Sequence, residues 1–295
     1  MSTATITMPD DTTNELPPGC ESILLGFAKG DCQGQMIWLD LVNSGGNKIV
    51  LLSQTPVTKL PDSPVVDNQL QVITVAQAPG GNQDLVQRLQ VQFESQLNQQ
   101  PYAAKSLIKS ALLTLQGAQI LWRPSQIVVF APPERMQSIC HAIVEASFYE
   151  FELRSIEQTL DASWDNVQAD SPLAFEFNER AIARREELST RFQSVLSSRT
   201  RFARLAPQIL VPHIYPPTLA SQIAERLRER TRMPERLELV EGKLETQERI
   251  YEMCSQRVSE FMVARTGHHL EWAIIILLLA QTVLIVIEYL SSASV

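Results

Sequence analysis

The chain has 295 residues, 44% hydrophobic and 20% charged, which excludes wholesale disorder and leaves room for more than one core. The net charge of −8 is unevenly spread: residues 1–175 hold 18 acids against 9 bases (−9), and residues 180–232 hold 11 Arg against 4 Glu (+7). An acidic front half is therefore joined to a basic segment. Cys20, Cys32, Cys140 and Cys254 make no C-x-x-C pair and suit neither a zinc site nor a disulfide framework, so reduced thiols in a cytosolic domain are expected.

The opening "MSTATITMPDDTTNELPPGCES" has no basic n-region and no apolar h-region, so export by an N-terminal signal is not expected. Residues 1–18 read as a disordered acidic lead. Five short apolar or β-branched runs follow: "SILLGFA", "QMIWLDLV", "KIVLLSQ", "LQVITVA" and "QIVVFAP", separated by Gly, Asn, Asp and Pro. Helical patterns at about 83–98 and 103–116 fall between the fourth and fifth runs. Residues 19–131 thus form a small α+β domain. "APGGNQD" (78–84) lacks the Lys-Ser/Thr of a phosphate loop and reads as a turn, with Asn82 capping the next helix.

Residues 132–232 read as a helical bundle, with helices at about 133–160, 176–205 and 218–231. A turn at 205–218, "LAPQILVPHIYPPT", carries four prolines and is not helical throughout. From 233 to 268 the pattern becomes a stalk helix. Leu237, Val240, Leu244, Gln247, Tyr251, Cys254, Val258 and Phe261 step by three and four residues, an a/d seam with one polar member. The seam fits either an intramolecular hairpin or an intermolecular coiled coil. Pro234 suits the first turn of this helix, and Gly267 is a candidate hinge where the stalk meets the last segment.

That segment, Leu270 to Leu290, is 21 residues, about 31 Å as a helix, the hydrocarbon thickness of a bilayer. Trp272 and Tyr289 are placed as membrane-interface anchors at its two ends. Glu271 and Glu288 lie near the ends, and Gln281 and Thr282 near the middle, where polar groups are costly. Only "SSASV" follows, so a tail anchor is expected. Arg257, Arg265, His268 and His269 precede the span and no Lys or Arg follows it, which keeps the bulk of the chain cytoplasmic. Residues 291–295 are a tail.

The succession "AIVEASFYEFE" (142–152), "SSRTRFARL" (197–205), a proline turn with an aromatic, "RLELVEGKLE" (236–245) and "LEWAIIILLL" (270–279) resembles a known family. It is the one built on a domain of unknown function that includes the required-for-meiotic-nuclear-division and Sad1-interacting-factor proteins. The resemblance covers about residues 125–290, and without a transit peptide the chain looks like a bacterial-type member. Its turn reads "VPHIYPPT" where the family usually carries an Asp or Trp. What the resemblance implies is a single C-terminal span, no enzymatic activity and no catalytic residues, with a link to translation at an inner membrane.

No catalytic constellation stands out. His268 and His269 are adjacent and face different sides of a helix, His141 on an apolar helix reads as a satisfied core or boundary histidine, and His213 in the proline turn has no partner nearby in sequence. No catalytic, cofactor or metal residues are assigned, and no small-molecule substrate is expected. A candidate polyanion or partner patch is Arg199, Arg201, Arg204, Arg226, Arg228, Arg230 and Arg232, if the proline turn folds the two helices back to back. The competing expectation is that Glu225, Glu229 and the acidic front half pair with these arginines.

The sequence therefore reads as an α+β domain, a long-helix bundle or coiled-coil hairpin, and one transmembrane helix. The expected function is a non-enzymatic scaffold or tether in a bacterial inner membrane. It would self-associate through stalk and anchor into a homo-oligomer, with membrane lipid and ribosomal RNA or ribosomal protein as partners. The alternative is an enzyme or nucleotide-binding module with its site in residues 19–131.

Overall fold

A computed structural model describes residues 16, 18–29, 37–40, 47–58, 69–76, 83–98, 111–123, 125–175, 183–210 and 218–293. The strands are β1 (Glu21–Lys29), β2 (Ile37–Asp40), β3 (Asn47–Pro56), β4 (Gln69–Ala76), β5 (Ala111–Leu115), β6 (Ala118–Arg123) and β7 (Gln126–Ala131). The helices are α1 (Gln83–Asn98), α2 (Pro133–Asp170), α3 (Arg185–Leu210), α4 (Leu219–Arg230) and α5 (Met233–Ala293). They form two compact units, residues 1–157 with 201–240 and residues 158–200 with 241–295.

The first unit is organised by a seven-stranded sheet in the order β2-β3-β1-β4-β7-β6-β5. Every neighbouring pair is antiparallel except β4 and β7, which run parallel. A parallel pair needs a crossover, and α1 with the β5–β6 hairpin supplies it. All six residues of β7, "QIVVFA", are buried. Such an unbroken apolar run marks a strand covered on both faces. On one face Ile73, Val75, Leu121, Val128 and Phe130 pack with Val86 and Leu89 of α1. On the other, the Trp122 indole N–H donates to Ser147 Oγ of α2 at 3.3 Å. Phe27 of β1 lies 5.5 Å from both Phe148 and Phe151.

Three expectations about this unit are corrected. Leu16 is not part of a disordered lead: it is buried in the α1-side core, and its N–H donates to the Thr58 carbonyl at 2.7 Å. Residues 1–15 and 17 lie outside the described residues. The described part of the expected helix at 103–116 is strand β5, while 103–110 lie outside them. "ALLTL" has no strong period of its own. The deciding signal is the two-residue turn Gln116-Gly117, with φ of 45° and 86°, which closes β5 onto β6 as a hairpin. Strand β6, "AQILWR", was absent from the sequence reading for the same reason. The glycine turn that ends "APGGNQD" and its Asn82 cap lie outside the described residues.

Helix α2 runs ten residues past the expected end at 160, and α3 continues to Leu210 with Pro207 inside its last turn. So close to the end, the missing proline N–H removes little helix. Residues 176–182 and the turn residues 211–217, including His213, lie outside the described residues. Thr218 caps α4, its hydroxyl accepting from the Ser221 N–H at 3.2 Å. Arg232, at φ 53°, turns the chain from α4 into α5.

In the second unit the later part of α2, the earlier part of α3 and the middle of α5 pack together. The seam residues Leu244, Gln247, Tyr251, Cys254 and Val258 are buried, as are Leu237 and Val240 before them, and Phe261 is half-buried. Gln247 is fully buried and its amide donates to Ser163 Oγ at 3.1 Å and to the Leu160 carbonyl at 3.4 Å. Among the described residues the seam is thus packed on the chain's own α2, the intramolecular of the two arrangements that the spacing fits.

Gly117 needs its positive φ, so Gly117→Ala is expected to destabilise the first unit by about 1 kcal/mol in urea unfolding. An unchanged midpoint would mean that the turn is not formed as described.

Candidate functional site

The candidate site is the stretch of α5 beyond its seam. From Met262 to Ile285 every residue is exposed, including Leu270, Ile274, Leu277 and Leu284. Among the described residues this is the one helix long and apolar enough to cross a membrane, and none of its apolar window is buried. Leu277 is 69% exposed and Leu284 66%, values that a core helix would not leave in water. A soluble surface helix would carry a polar stripe here, and "AIIILLLA" carries none.

At the head of the stretch Trp272 stands exposed, and its indole N–H donates to His268 Nε2 at 3.2 Å. His268 Nδ1 lies 3.4 Å from Glu271. The three side chains form one polar collar at i, i+3 and i+4 spacing. Tyr289 falls on α5 but its side chain is outside the described set. Gly267 is not a break: α5 is helical through it, and a Cβ there would meet nothing within 4 Å. The hinge expectation is corrected to an uninterrupted helix.

The seven arginines separate into two kinds. Arg201 pairs with Glu152 at 3.0 Å and donates to Ser155, and Arg226 pairs with Glu229 at 2.8 Å. Arg228 is buried, with Glu225 at 3.4 Å. Arg199, in the second unit, lies 3.8 Å from both Glu241 and Glu248. Arg204, Arg230 and Arg232, all in the first unit, are exposed and have no ion pair among the described residues. A small pocket of about 200 Å³ lies between β5 and α4, lined by Leu113, Leu115, Ile223, Arg226 and Arg230 among others. That is below the usual range for small-molecule sites.

Two polar clusters were not foreseen from the sequence. In the first unit, buried Glu150 accepts from Arg154 at 2.6 Å and Arg236 at 3.3 Å, while Arg236 also holds Glu157 at 2.6 Å. In the second, the fully buried Asp170 carboxylate is held by Arg184 at 2.9 Å and by Arg191. Tyr251 Oη donates to it at 3.5 Å, and Cys254 Sγ lies 3.7 Å from its carbonyl. Burial, then the Asp170 charge, pushes the Tyr251 phenol up to about 12 and the Cys254 thiol to about 11. Burial alone pushes the Cys140 thiol to about 12. The only advance signals were the i, i+4 spacings of Glu150 with Arg154 and Glu187 with Arg191, which many surface helices share.

Among the described residues no group of His, Cys, Asp and Glu is placed to hold a metal ion. No protein-family model matches the chain, and no curated protein matches it in sequence.

Removing the Asp170 carboxylate leaves two arginines facing a buried site, so Asp170→Ala is expected to destabilise by about 2–4 kcal/mol in chemical denaturation. A loss under 0.5 kcal/mol would reduce the cluster to a surface contact. Because the raised thiols stay protonated far above neutral pH, Cys140 and Cys254 should resist maleimide at pH 8 until the chain is unfolded. Mass mapping of the labelled native chain checks this, and labelling of either residue contradicts the packing.

Proposed function

We propose that the chain is a non-enzymatic, single-span membrane protein that presents its two units on the cytoplasmic side as a scaffold or tether. The observation that carries this reading is that α5 changes character within one helix. Up to Val258 it has one buried face, and from Met262 to Ile285 it has none and is largely apolar. Transfer of such a surface into hydrocarbon is favourable by about 25 cal/mol per Å², and every backbone group is already bonded within the helix. Arg257, Arg265, His268 and His269 on the near side favour retention of that side in the cytoplasm.

The resemblance to the family with a single C-terminal span supports the same reading and adds an inner membrane and a partner in translation. A polyanion such as ribosomal RNA would be met by Arg204, Arg230 and Arg232, whose charges are not spent on carboxylates among the described residues.

Carbonate and detergent extraction of the full-length chain beside a version ending at Thr266 tests the span. Only the full-length chain should require detergent, and release of both by carbonate would refute the reading. The polyanion role has its own test in the triple variant Arg204→Glu, Arg230→Glu, Arg232→Glu. Salt-sensitive binding to ribosomal RNA should be lost, while Arg199→Glu and Arg226→Glu should change it less. Normal binding by the triple variant would exclude these arginines.

A further inference from the structure

Resting on the reading of α5 as a span, we infer that Gln281 and the stripe around it are the surface through which two copies of this chain pair within the membrane. At 100° per residue, Ile274, Leu277, Leu278, Gln281, Leu284 and Ile285 fall on one face of α5, with steps of three and four residues. That is the a/d spacing of a helix-pairing seam, and Gln281 is its single polar member between Ile274 and Ile285.

Gln281 lies one residue from the midpoint of Leu270–Leu290. It is exposed and makes no hydrogen bond among the described residues. Other polar groups near it are satisfied within their own helix. The Thr282 hydroxyl donates to the Leu278 carbonyl at 2.7 Å, and Trp272 and Glu271 share His268. In acyl chains the Gln281 amide would leave two donors and two acceptor lone pairs unmet, and lipid tails supply neither.

The same helix shows how the chain treats a polar seam residue when a partner is present. Gln247 is also the one polar member of its seam, and it donates to Ser163 and the Leu160 carbonyl. Gln281 has no helix of its own chain to play that part among the described residues. A carboxamide is self-complementary, and all copies cross in one direction, which places one Gln281 opposite another at equal depth. A second copy of this chain therefore fits the stripe in chemistry, depth and orientation. A polar side chain at an a position also fixes register, so the pair is parallel and in register.

The test uses the full-length chain in liposomes with single cysteines. Leu277→Cys lies on the stripe, and Ile276→Cys lies about 140° from Gln281 on the far side; the chain with only its native cysteines gives the background. Oxidation should join Leu277→Cys copies to each other and leave Ile276→Cys unjoined. Gln281→Leu should weaken the dimer about three- to thirtyfold in a dilution series read by energy transfer, and Gln281→Asn should keep most of it. Equal cross-linking at both positions, or a Gln281→Leu dimer as tight as wild type, overturns the stripe. Each variant is also extracted with carbonate. Release from the bilayer refutes the span itself, whereas a chain held in the membrane as a monomer refutes only the pairing.

Discussion

The structure depends on one helix that is packed along its middle and exposed and apolar toward its end. Met233–Ala293 is a 61-residue helix, about 90 Å long at 1.5 Å per residue. Its seam is buried as far as Val258, so the first part is held by packing against the chain's own helices. Beyond Phe261 no residue that the structure describes in this helix is covered, and from Leu270 the sequence becomes largely apolar. Packing ends and the apolar run begins about two and a half turns apart, across a polar stretch with Arg265, His268 and His269 in which Gly267 is helical.

Charge is mostly used inside the units. Glu150 and Asp170 are buried carboxylates: Glu150 is held by Arg154 of α2 and Arg236 of α5, and Asp170 by Arg191 of α3 and Arg184 just before it. Breaking such a pair is far more costly than forming it is favourable, so these contacts act chiefly to specify which helices meet. The arginine excess of residues 180–232 is largely explained this way. Arg184, Arg191, Arg199, Arg201, Arg226 and Arg228 all have carboxylate partners, and three of the seven patch candidates have none among the described residues. Net charge along the sequence overstated the basic surface because it counts charges and not pairs: Arg226 and Arg228 meet Glu229 and Glu225 within one turn, and Arg199 and Arg201 meet Glu241, Glu248 and Glu152 from distant segments.

What the sequence made legible was set by period. The seam positions Leu237 to Val258 follow a three-four spacing too regular to miss, and the same residues are the buried ones. The 21-residue apolar run was equally plain. Helix α1 and the strands of "LQVITVA" and "QIVVFAP" were readable because turn residues bracket them. The β5–β6 hairpin was not, since "ALLTL" fits either period and Gln-Gly is a weaker turn signal than Asn-Gly. Asp170 was hidden for another reason: its value lies in Arg184, Arg191 and Tyr251, up to 81 residues away. No local pattern records a contact of that range.

The central claim is that the apolar run of α5, from Leu270 onward, sits in hydrocarbon rather than in a soluble core or in water. Single nitroxide labels placed in turn at residues 272–285 of the full-length chain in liposomes test it most directly. Collision with a polar nickel chelate should be low at every position and collision with oxygen high on the face away from Gln281, with the contrast deepest near residue 280. Easy access of the chelate at these positions would contradict the account.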